Sequence, residues 1–160
     1  MALAINLNLE NKECLVVGAG AVALRKTRKL LKNKARVKCV SMEFLLEFNE
    51  LDIELVHRKF MREDVYNMDL VIAATNDDLV NHEVFKSCKQ NKILCLCTDG
   101  KNQSDFTFMA TREIDDIKVA VSTNNKAPKV AKVIADDLIK CINDDHKKML
   151  KEEINRRNKG

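Results

Sequence analysis

The sequence is poor in aromatic residues and has neither a long hydrophobic run nor a targeting segment. Aromatic side chains make up 4% of its 160 residues, which leaves no stacking platform for single-stranded nucleic acid. A membrane-spanning helix needs about 18 or more consecutive apolar residues, and the sequence contains no such run. The first residues show no basic leader and no cleavage-type site. We therefore expect a cytoplasmic protein that binds neither membranes nor nucleic acid.

Six cysteines are present, but their spacing does not suggest a disulfide framework or a metal site. There is no C-x-x-C motif, and the close pair Cys95 and Cys97 would place both thiols on one face of a strand. The three histidines are far apart and show no ligand spacing. We expect reduced thiols that pack as small hydrophobic side chains, and no metal site.

Apolar residues account for 46% of the chain, enough to bury the core of one domain with an appendage. The net charge of +4 is unevenly distributed. A solvated helix face explains most of the basic cluster, although a basic rim would also suit a polyanionic small molecule or a cofactor phosphate. The cluster consists of Arg25, Lys26, Arg28, Lys29, Lys32, Lys34, Arg36 and Lys38.

The chain is organised around a glycine turn between a predicted strand and a predicted helix. Residues 15–26 read LVVGAGAVALRK, a G-x-G-x-x-A pattern. Gly18 would permit a sharp turn, and Gly20 would permit close approach of the backbone to a pyrophosphate. The N–H groups of Ala21 and Val22, at the helix start, would hold the phosphates. Two glycines here can also form only a tight turn, but the strand–helix–strand context favours dinucleotide binding.

Strands alternate with helices over the first two thirds of the chain. The apolar run at residues 70–75 is typical of a central parallel strand buried on both faces. Thr75 and Asn76 close that run, at the strand end where ligands bind in open parallel sheets. The alternation predicts an α/β Rossmann-type doubly wound sheet. Predicted strands are 6–9, 13–17, 36–41, 53–59, 70–75 and 93–97; predicted helices are 21–33, with Val22, Ala23, Leu30 and Leu31 on one face, and 79–90.

The end of the second parallel strand bears on the choice of cofactor. In many NAD-binding folds an acidic residue there holds the ribose hydroxyls. Ser41 and Met42 take that place in this sequence, and Glu43 lies two residues beyond Ser41. No arginine follows immediately that could receive a 2′-phosphate. The sequence therefore favours NAD over NADP.

Beyond Gly100 the pattern changes to two strand-like pieces, residues 106–110 and 117–122, and then to a helix over 128–143. Its apolar stripe could face the sheet or a partner subunit: Val130, Ile134, Leu138, Cys141 and Ile142. From residue 144 the chain is almost entirely polar, which predicts a helical or disordered tail. These patterns divide the chain into a Rossmann domain (1–112), a small dimerisation segment (113–145) and a polar tail (146–160).

Four motifs, in this order, resemble the precorrin-2 dehydrogenase domain of siroheme synthases over about residues 7–141. They are the segment 15–26, the run 71–77 with Asn81, Asp99 six residues before Asp105-Phe106, and the run 119–123 with Ala127-Pro128. The resemblance implies a homodimer and NAD-dependent oxidation of precorrin-2 to sirohydrochlorin, in siroheme biosynthesis. Asp99 matches the catalytic aspartate of the family. The predicted cofactor-binding residues are Gly18, Gly20, Ala21, Val22, Ser41, Met42, Glu43, Thr75 and Asn76.

The sequence also departs from the family pattern. Leu96 stands where the family has an asparagine, and Asn124 and Asn125 stand where it has paired glycines. The C-terminal helical region is shorter than in the family, which predicts little of the ferrochelatase activity that some members have. Thr-Asp-Gly at Asp99 is also a good turn sequence. An alternative hypothesis is a non-catalytic Rossmann module that senses NAD and acts through a dimer helix.

Overall fold

The computed structural model describes residues 3–100 and 103–158. The chain divides into two compact units, one of residues 3–106 and one that begins at Thr107. The first unit also contains two short 3-10 helices, Leu46–Glu50 and Arg62–Val65. In chain order the other elements are β1 (Glu13–Val17), α1 (Ala21–Lys32), β2 (Arg36–Ser41), β3 (Glu54–His57), β4 (Leu70–Ala73), α2 (Asp78–Gln90), β5 (Leu94–Cys97), β6 (Ala110–Ile114), β7 (Ile117–Val121), α3 (Pro128–Lys140) and α4 (Asp144–Arg157).

The first unit is a five-stranded sheet in the order β3-β2-β1-β4-β5, and every adjacent pair is parallel. All four residues of β4 are buried, and so are the last four of β1. Helices α1 and α2 flank the sheet, as right-handed strand–helix–strand connections require. The predicted α/β doubly wound fold is confirmed.

Each helix of this unit buries one stripe of side chains. On α1 the buried residues are Ala23, Leu24, Thr27 and Leu30. Val22, predicted to share one face with Ala23 and Leu30, is 41% exposed. The stripe on α2 is partly polar, because Asn81 and Ser87 are buried beside Val84 and Cys88. A buried polar side chain is costly unless it is hydrogen-bonded. Asn81 has such a partner in Thr75, whereas the Ser87 hydroxyl has none among the described residues. The buried stripe of α2 therefore holds more than apolar packing.

Two predicted strands are wrong. Residues 6–9 form no strand; Ile5 and Leu7 are exposed and only Leu9 of this alternating stretch is buried. A period-two pattern becomes a strand only where a neighbouring strand accepts its hydrogen bonds. The strand predicted at 106–110 instead forms over Ala110–Ile114, because a tight turn at Asp115, whose φ is 50°, pairs Ile114 with Ile117.

The second unit packs α3 onto the β6–β7 hairpin. Ala131 and Ala135 are the buried residues of α3, and the guanidinium of Arg112 pairs with the carboxylate of Asp136 on that helix, with Nη2 2.9 Å from Oδ2. Residues 144–157, in the polar stretch, form α4, whose first turn is capped by the side chain of Asn143. In the described ranges, no helix is long and apolar enough to cross a membrane.

Candidate active site

The predicted site residues of the first unit lie at the carboxyl ends of four neighbouring strands. β1 leads into Gly18, and β2 ends at Ser41. β4 ends two residues before Thr75, and β5 ends two residues before Asp99. The sheet order reverses between β1 and β4, since β2 continues on one side and β5 on the other. Such a switch point opens a crevice at the carboxyl ends of the strands, where ligands of doubly wound proteins bind.

Gly18 is the packing glycine of the turn. It is buried, has a φ of 99°, and donates its N–H to the carbonyl oxygen of Val40 at 2.9 Å. A Cβ built at this position would lie 2.5 Å from the carbonyl oxygen of Ala74 and 3.0 Å from the backbone nitrogen of Thr75. The end of β1 thus passes directly against the end of β4. This approach leaves no room for any side chain.

Gly20 has the opposite surroundings. It is exposed and forms the N-cap of α1 with ordinary extended angles, φ −83° and ψ −175°. Within the described parts of the chain, a Cβ built here meets no atom within 4 Å, no side chain caps the helix, and its first turn carries no acidic residue. The N–H groups of Ala21 and Val22 in that turn have no intrahelical acceptors. This open helix start fits the pyrophosphate of a dinucleotide, and a side chain at Gly20 would fill it.

The electrostatics of α1 add to this preference for an anion. The helix contains five basic residues and no acidic residue. Burial of Lys26, followed by the neighbouring charges of Arg25 and Lys29, lowers the pKa of its ammonium group to about 8. Crowding of like charges is the smaller cause of this shift. The five basic residues themselves give the helix a positive charge that favours an anionic ligand.

All charged residues in the connection after β2 are acidic. Between Val40 and Val56 there is no lysine or arginine, and the carboxylates are Glu43, Glu47, Glu50, Asp52 and Glu54. The Ser41 hydroxyl donates to the carbonyl oxygen of Glu43 at 2.7 Å, which folds the first residues of the connection into a turn with Met42 60% exposed. The Leu45 N–H reaches the carbonyl oxygen of Ala19 at 3.3 Å and ties this turn to the glycine turn.

The end of β4 turns into α2 through Thr75 and Asn76. Asn76 is exposed and Thr75 is half-buried. Asp77 caps α2, because its Oδ1 accepts the N–H groups of Leu79 at 2.9 Å and Val80 at 3.3 Å. The polar run after β4 is therefore an ordered turn that presents Thr75 and Asn76 at the switch point.

Two aspartates follow β5, and the structure gives them different surroundings. Thr98 continues the pairing with β4 by donating its N–H to the carbonyl oxygen of Ala73 at 3.0 Å, and the half-buried Asp99 comes next at the sheet edge. Asp105 lies beside β5 instead. Its carboxylate accepts the Cys95 N–H at 2.9 Å and forms an ion pair with Lys89. Asp105 is thus a structural residue that accepts a backbone N–H of the edge strand β5.

Most of the cysteine side chains are buried. Five of the six cysteines are buried, and Cys141 is exposed. Burial raises the pKa of Cys39 to about 12, and burial followed by the carboxylates of Asp69 and Glu13 raises that of Cys14 to about 12. A thiol with such a pKa is protonated at neutral pH and is a poor nucleophile. Among residues 3–100 and 103–158, no group of three or more His, Cys, Asp or Glu side chains is arranged to hold a metal ion.

One open surface depression of about 540 Å³ lies away from these residues. Its lining includes Met68 and Ile93, which precede β4 and β5, so it belongs to the amino-terminal edge of the sheet. The opposite edge carries the glycine turn and Asp99. Cavity size does not mark the site in this unit, because the helix start at Gly20 is open to solvent.

Comparison with known families identifies the family to which this sheet and its glycine turn belong. Residues 5–110 match the sequence profile of a family described as "Putative NAD(P)-binding". The chain belongs to this family. The match includes the glycine turn, the acidic connection after β2 and the ends of β4 and β5, and it confirms the predicted nicotinamide dinucleotide cofactor.

The curated relatives of this chain include siroheme synthases. The chain is 36% identical over 140 residues to the siroheme synthase of Pseudoalteromonas translucida, covering 85% of this chain and 30% of the relative. It is 35% identical over 136 residues to that of Actinobacillus succinogenes, covering 82% and 28%. The chain therefore spans less than a third of the length of these relatives. The predicted resemblance to the precorrin-2 dehydrogenase domain of siroheme synthases is confirmed.

Among solved structures, the chain is similar to "SirC, precorrin-2 dehydrogenase", with a TM-score of 0.77 and 26% sequence identity. The similarity covers 89% of this chain and 72% of that one.

One residue of this edge to which the sequence did not assign a role is Asn81, which appeared only within a motif. Its signal was available, since Asn81, Val84 and Cys88 follow the helical spacing of a single buried stripe.

Proposed function

We propose that this chain is a cytoplasmic NAD-dependent dehydrogenase that oxidises precorrin-2 to sirohydrochlorin. The observation that carries the proposal is that the open, uncapped helix start at Gly20 and the Asp99 residue lie at the same carboxyl edge of the sheet. β4 lies between β1 and β5 in the sheet. Because neighbouring strands are about 4.8 Å apart, the strand ends at Val17 and Cys97 lie about 10 Å from each other. A site of this width would allow a bound cofactor and the Asp99 carboxylate to reach one substrate.

The reaction removes two hydrogen atoms, that is two electrons and two protons, from the tetrapyrrole. One hydrogen leaves as a hydride, the chemistry that bound NAD supplies by accepting it, and the other leaves as a proton. A positioned carboxylate is suited to accept that proton as conjugation extends through the macrocycle. We assign this role to the Asp99 side-chain oxygens. The carboxylates of the substrate would lie favourably near the basic helix α1.

The acidic connection after β2 supports NAD over NADP. A 2′-phosphate carries negative charge and is bound by arginine in NADP-dependent Rossmann proteins. Near Ser41 and Met42 the chain offers Glu43 and no lysine or arginine up to Val56. Like charges brought together at a partly desolvated site weaken binding. The ratio of the dissociation constants for NADP and NAD, measured by calorimetry, tests this preference, and equal affinities would contradict it.

The exposed face of α3 supports a homodimer. Val130, Ile134 and Leu138 are each at least 40% exposed, although the helix packs on its own hairpin through small alanines. The predicted stripe also includes Cys141, which is exposed, and Ile142, which is half-buried. An apolar stripe of this kind is typical of an interaction surface. Sedimentation velocity at micromolar concentration should show a dimer, and a Leu138→Glu variant should sediment as a monomer.

Turnover separates this proposal from a non-catalytic NAD sensor. Precorrin-2 added to the protein and NAD should produce NADH, followed by its ultraviolet absorbance, together with sirohydrochlorin. A sensor would bind NAD without producing NADH. The proposed activity is the dehydrogenation alone. Ferrous iron should enter sirohydrochlorin no faster with the protein than without it, and clearly faster insertion would contradict this part of the proposal.

A further inference from the structure

Asn81 is a buried side chain that, among the described residues, hydrogen-bonds to one residue of the candidate site, Thr75. It is 0% exposed and lies on the inner stripe of α2. Its Oδ1 accepts the Thr75 N–H at 3.1 Å and the Thr75 hydroxyl at 2.8 Å. Its Nδ2 donates to the Thr75 carbonyl oxygen at 3.0 Å. Asn81 thus binds the backbone donor, the backbone acceptor and the side chain of Thr75 at once.

These three bonds determine the amide orientation and the conformation of the turn. Rotating the amide by half a turn would place its NH₂ group against the Thr75 N–H, two donors facing each other. The Thr75 hydroxyl also accepts the Asp77 N–H at 3.1 Å, so the same network extends to the cap of α2. In a buried setting such a network is rigid when complete and costly when broken.

The position of Thr75 matters because the glycine turn packs against it. The Cβ direction of Gly18 points at the carbonyl oxygen of Ala74 and at the backbone nitrogen of Thr75, leaving no free space between the two chain segments. A shift of Thr75 toward Gly18 would push the glycine turn, and a shift away would open a gap beneath it. Asn81 therefore connects α2 to the turn that precedes α1.

We propose that Asn81 is a positioning residue for the cofactor site, acting through Thr75 and Gly18 without touching the ligand. The inference rests on the proposed use of this edge of the sheet for NAD. Because Asn81 is fully buried, its side chain does not reach the crevice, and its effect must pass through the backbone of Thr75. Loss of Asn81 should leave the Thr75 N–H and carbonyl without partners and loosen the switch point.

The test compares Asn81→Ala with Val84→Ala. Val84 is also 0% exposed, on the same stripe of α2 three residues further on, so its truncation destabilises the same helix without removing a bond to Thr75. We expect the dissociation constant for NAD, measured by calorimetry, to rise about tenfold in Asn81→Ala, as expected for an unsatisfied buried polar group. In Val84→Ala it should stay within about twofold of the wild type.

A second readout follows the network itself. Amide hydrogen exchange at Thr75 should be faster in Asn81→Ala than in Val84→Ala at equal global stability. If Asn81→Ala does not fold, Asn81→Ser replaces it. A helical serine can bond the carbonyl four residues earlier, so its own hydroxyl has a partner, but it cannot reach Thr75 and still removes the bonds to that residue. Equal effects of the position-81 and position-84 variants on NAD affinity would overturn the inference. A wild type that binds NAD but does not oxidise precorrin-2 would instead overturn the proposed function, and the comparison of the two variants would still hold.

Discussion

The two glycines of the turn should respond in opposite ways to the same substitution. At Gly18, a Cβ would lie 2.5 Å from the Ala74 carbonyl oxygen, and the φ of 99° is a conformation that L side chains rarely adopt. The backbone strain is of order 1–3 kcal/mol, and overpacking adds about 1–3 kcal/mol. Gly18→Ala should therefore lower the free energy of unfolding by about 3 kcal/mol or more, a large share of the roughly 5–15 kcal/mol typical of a domain.

At Gly20 the same change should leave the fold almost untouched. Its angles are accessible to any residue, and a Cβ meets no described atom within 4 Å. Alanine is a poorer N-cap than glycine by less than about 1 kcal/mol, while the reduced freedom of the unfolded chain contributes about 0.4–1 kcal/mol in the other direction. The net change in the free energy of unfolding of Gly20→Ala should stay within about 0.5 kcal/mol.

Substitution at Gly20 should instead affect NAD affinity much more than it affects stability. A bulkier side chain in Gly20→Val would stand where the pyrophosphate approaches α1, and displacing one charge-assisted hydrogen bond weakens binding by about 1.5–3 kcal/mol, or roughly 10- to 100-fold. Urea denaturation gives the stabilities, and calorimetry with NAD gives the affinities. A Gly20→Val variant that binds NAD as tightly as the wild type would refute the assignment of this helix start, and a fully stable Gly18→Ala would refute the packing argument.

Three further predictions concern other parts of the chain. Asp99→Asn keeps size and NAD affinity but removes the base, so turnover of precorrin-2, followed by NADH absorbance, should fall by about 10²- to 10⁴-fold; undiminished turnover would assign Asp99 to the turn alone. Asn125 has a φ of 61°, so Asn125→Gly should be near neutral and Asn125→Val should destabilise by about 1–2 kcal/mol in thermal unfolding. Burial raises the pKa of Asp64, but hydrogen bonds from Arg58 and the Met61 N–H outweigh this and hold that pKa below its usual range. The Asp64 carboxylate therefore stabilises the fold above about pH 4 and loses this contribution as the pH falls, so Asp64→Asn should flatten the acid limb of the stability curve, and an unchanged limb would contradict this.

Asn124 and Asn125, which stand where the family resemblance predicts paired glycines, form a left-handed turn. The two residues have φ values of 49° and 61°, in the left-handed region that glycine adopts freely and asparagine tolerates better than most residues. The Ser122 hydroxyl accepts the Asn124 N–H at 3.1 Å and supports this turn. Both asparagines therefore adopt a conformation that glycine would also adopt without strain, which could not be concluded from the letters alone.

Local chemistry was enough to predict the centre of the first unit. β1, the glycine turn and α1 form within consecutive residues, and the bounds of β2 agree with the prediction at both ends. Short-range rules suffice there, because strand, turn and helix signals are all encoded within about 30 residues of one strand–helix–strand unit. The placing of site residues at strand ends also followed, since parallel strands share one carboxyl edge.

Long-range packing decided the rest. The alternation at residues 6–9 had no strand to pair with, and β6 took its register from its hairpin partner β7. On α1, Leu24 is buried and Val22 is exposed because docking on the sheet, and not the helical period, selects which arc of the helix turns inward. The roles of Asn81 and Asp105 likewise depend on bonds to Thr75 and Cys95 that only the folded chain brings within reach. Sequence alone determined β1, β2, α1 and the chemistry of the turn between them. Tertiary structure determined which polar side chains hold that turn in place, because a buried hydrogen bond is specified by both of its partners.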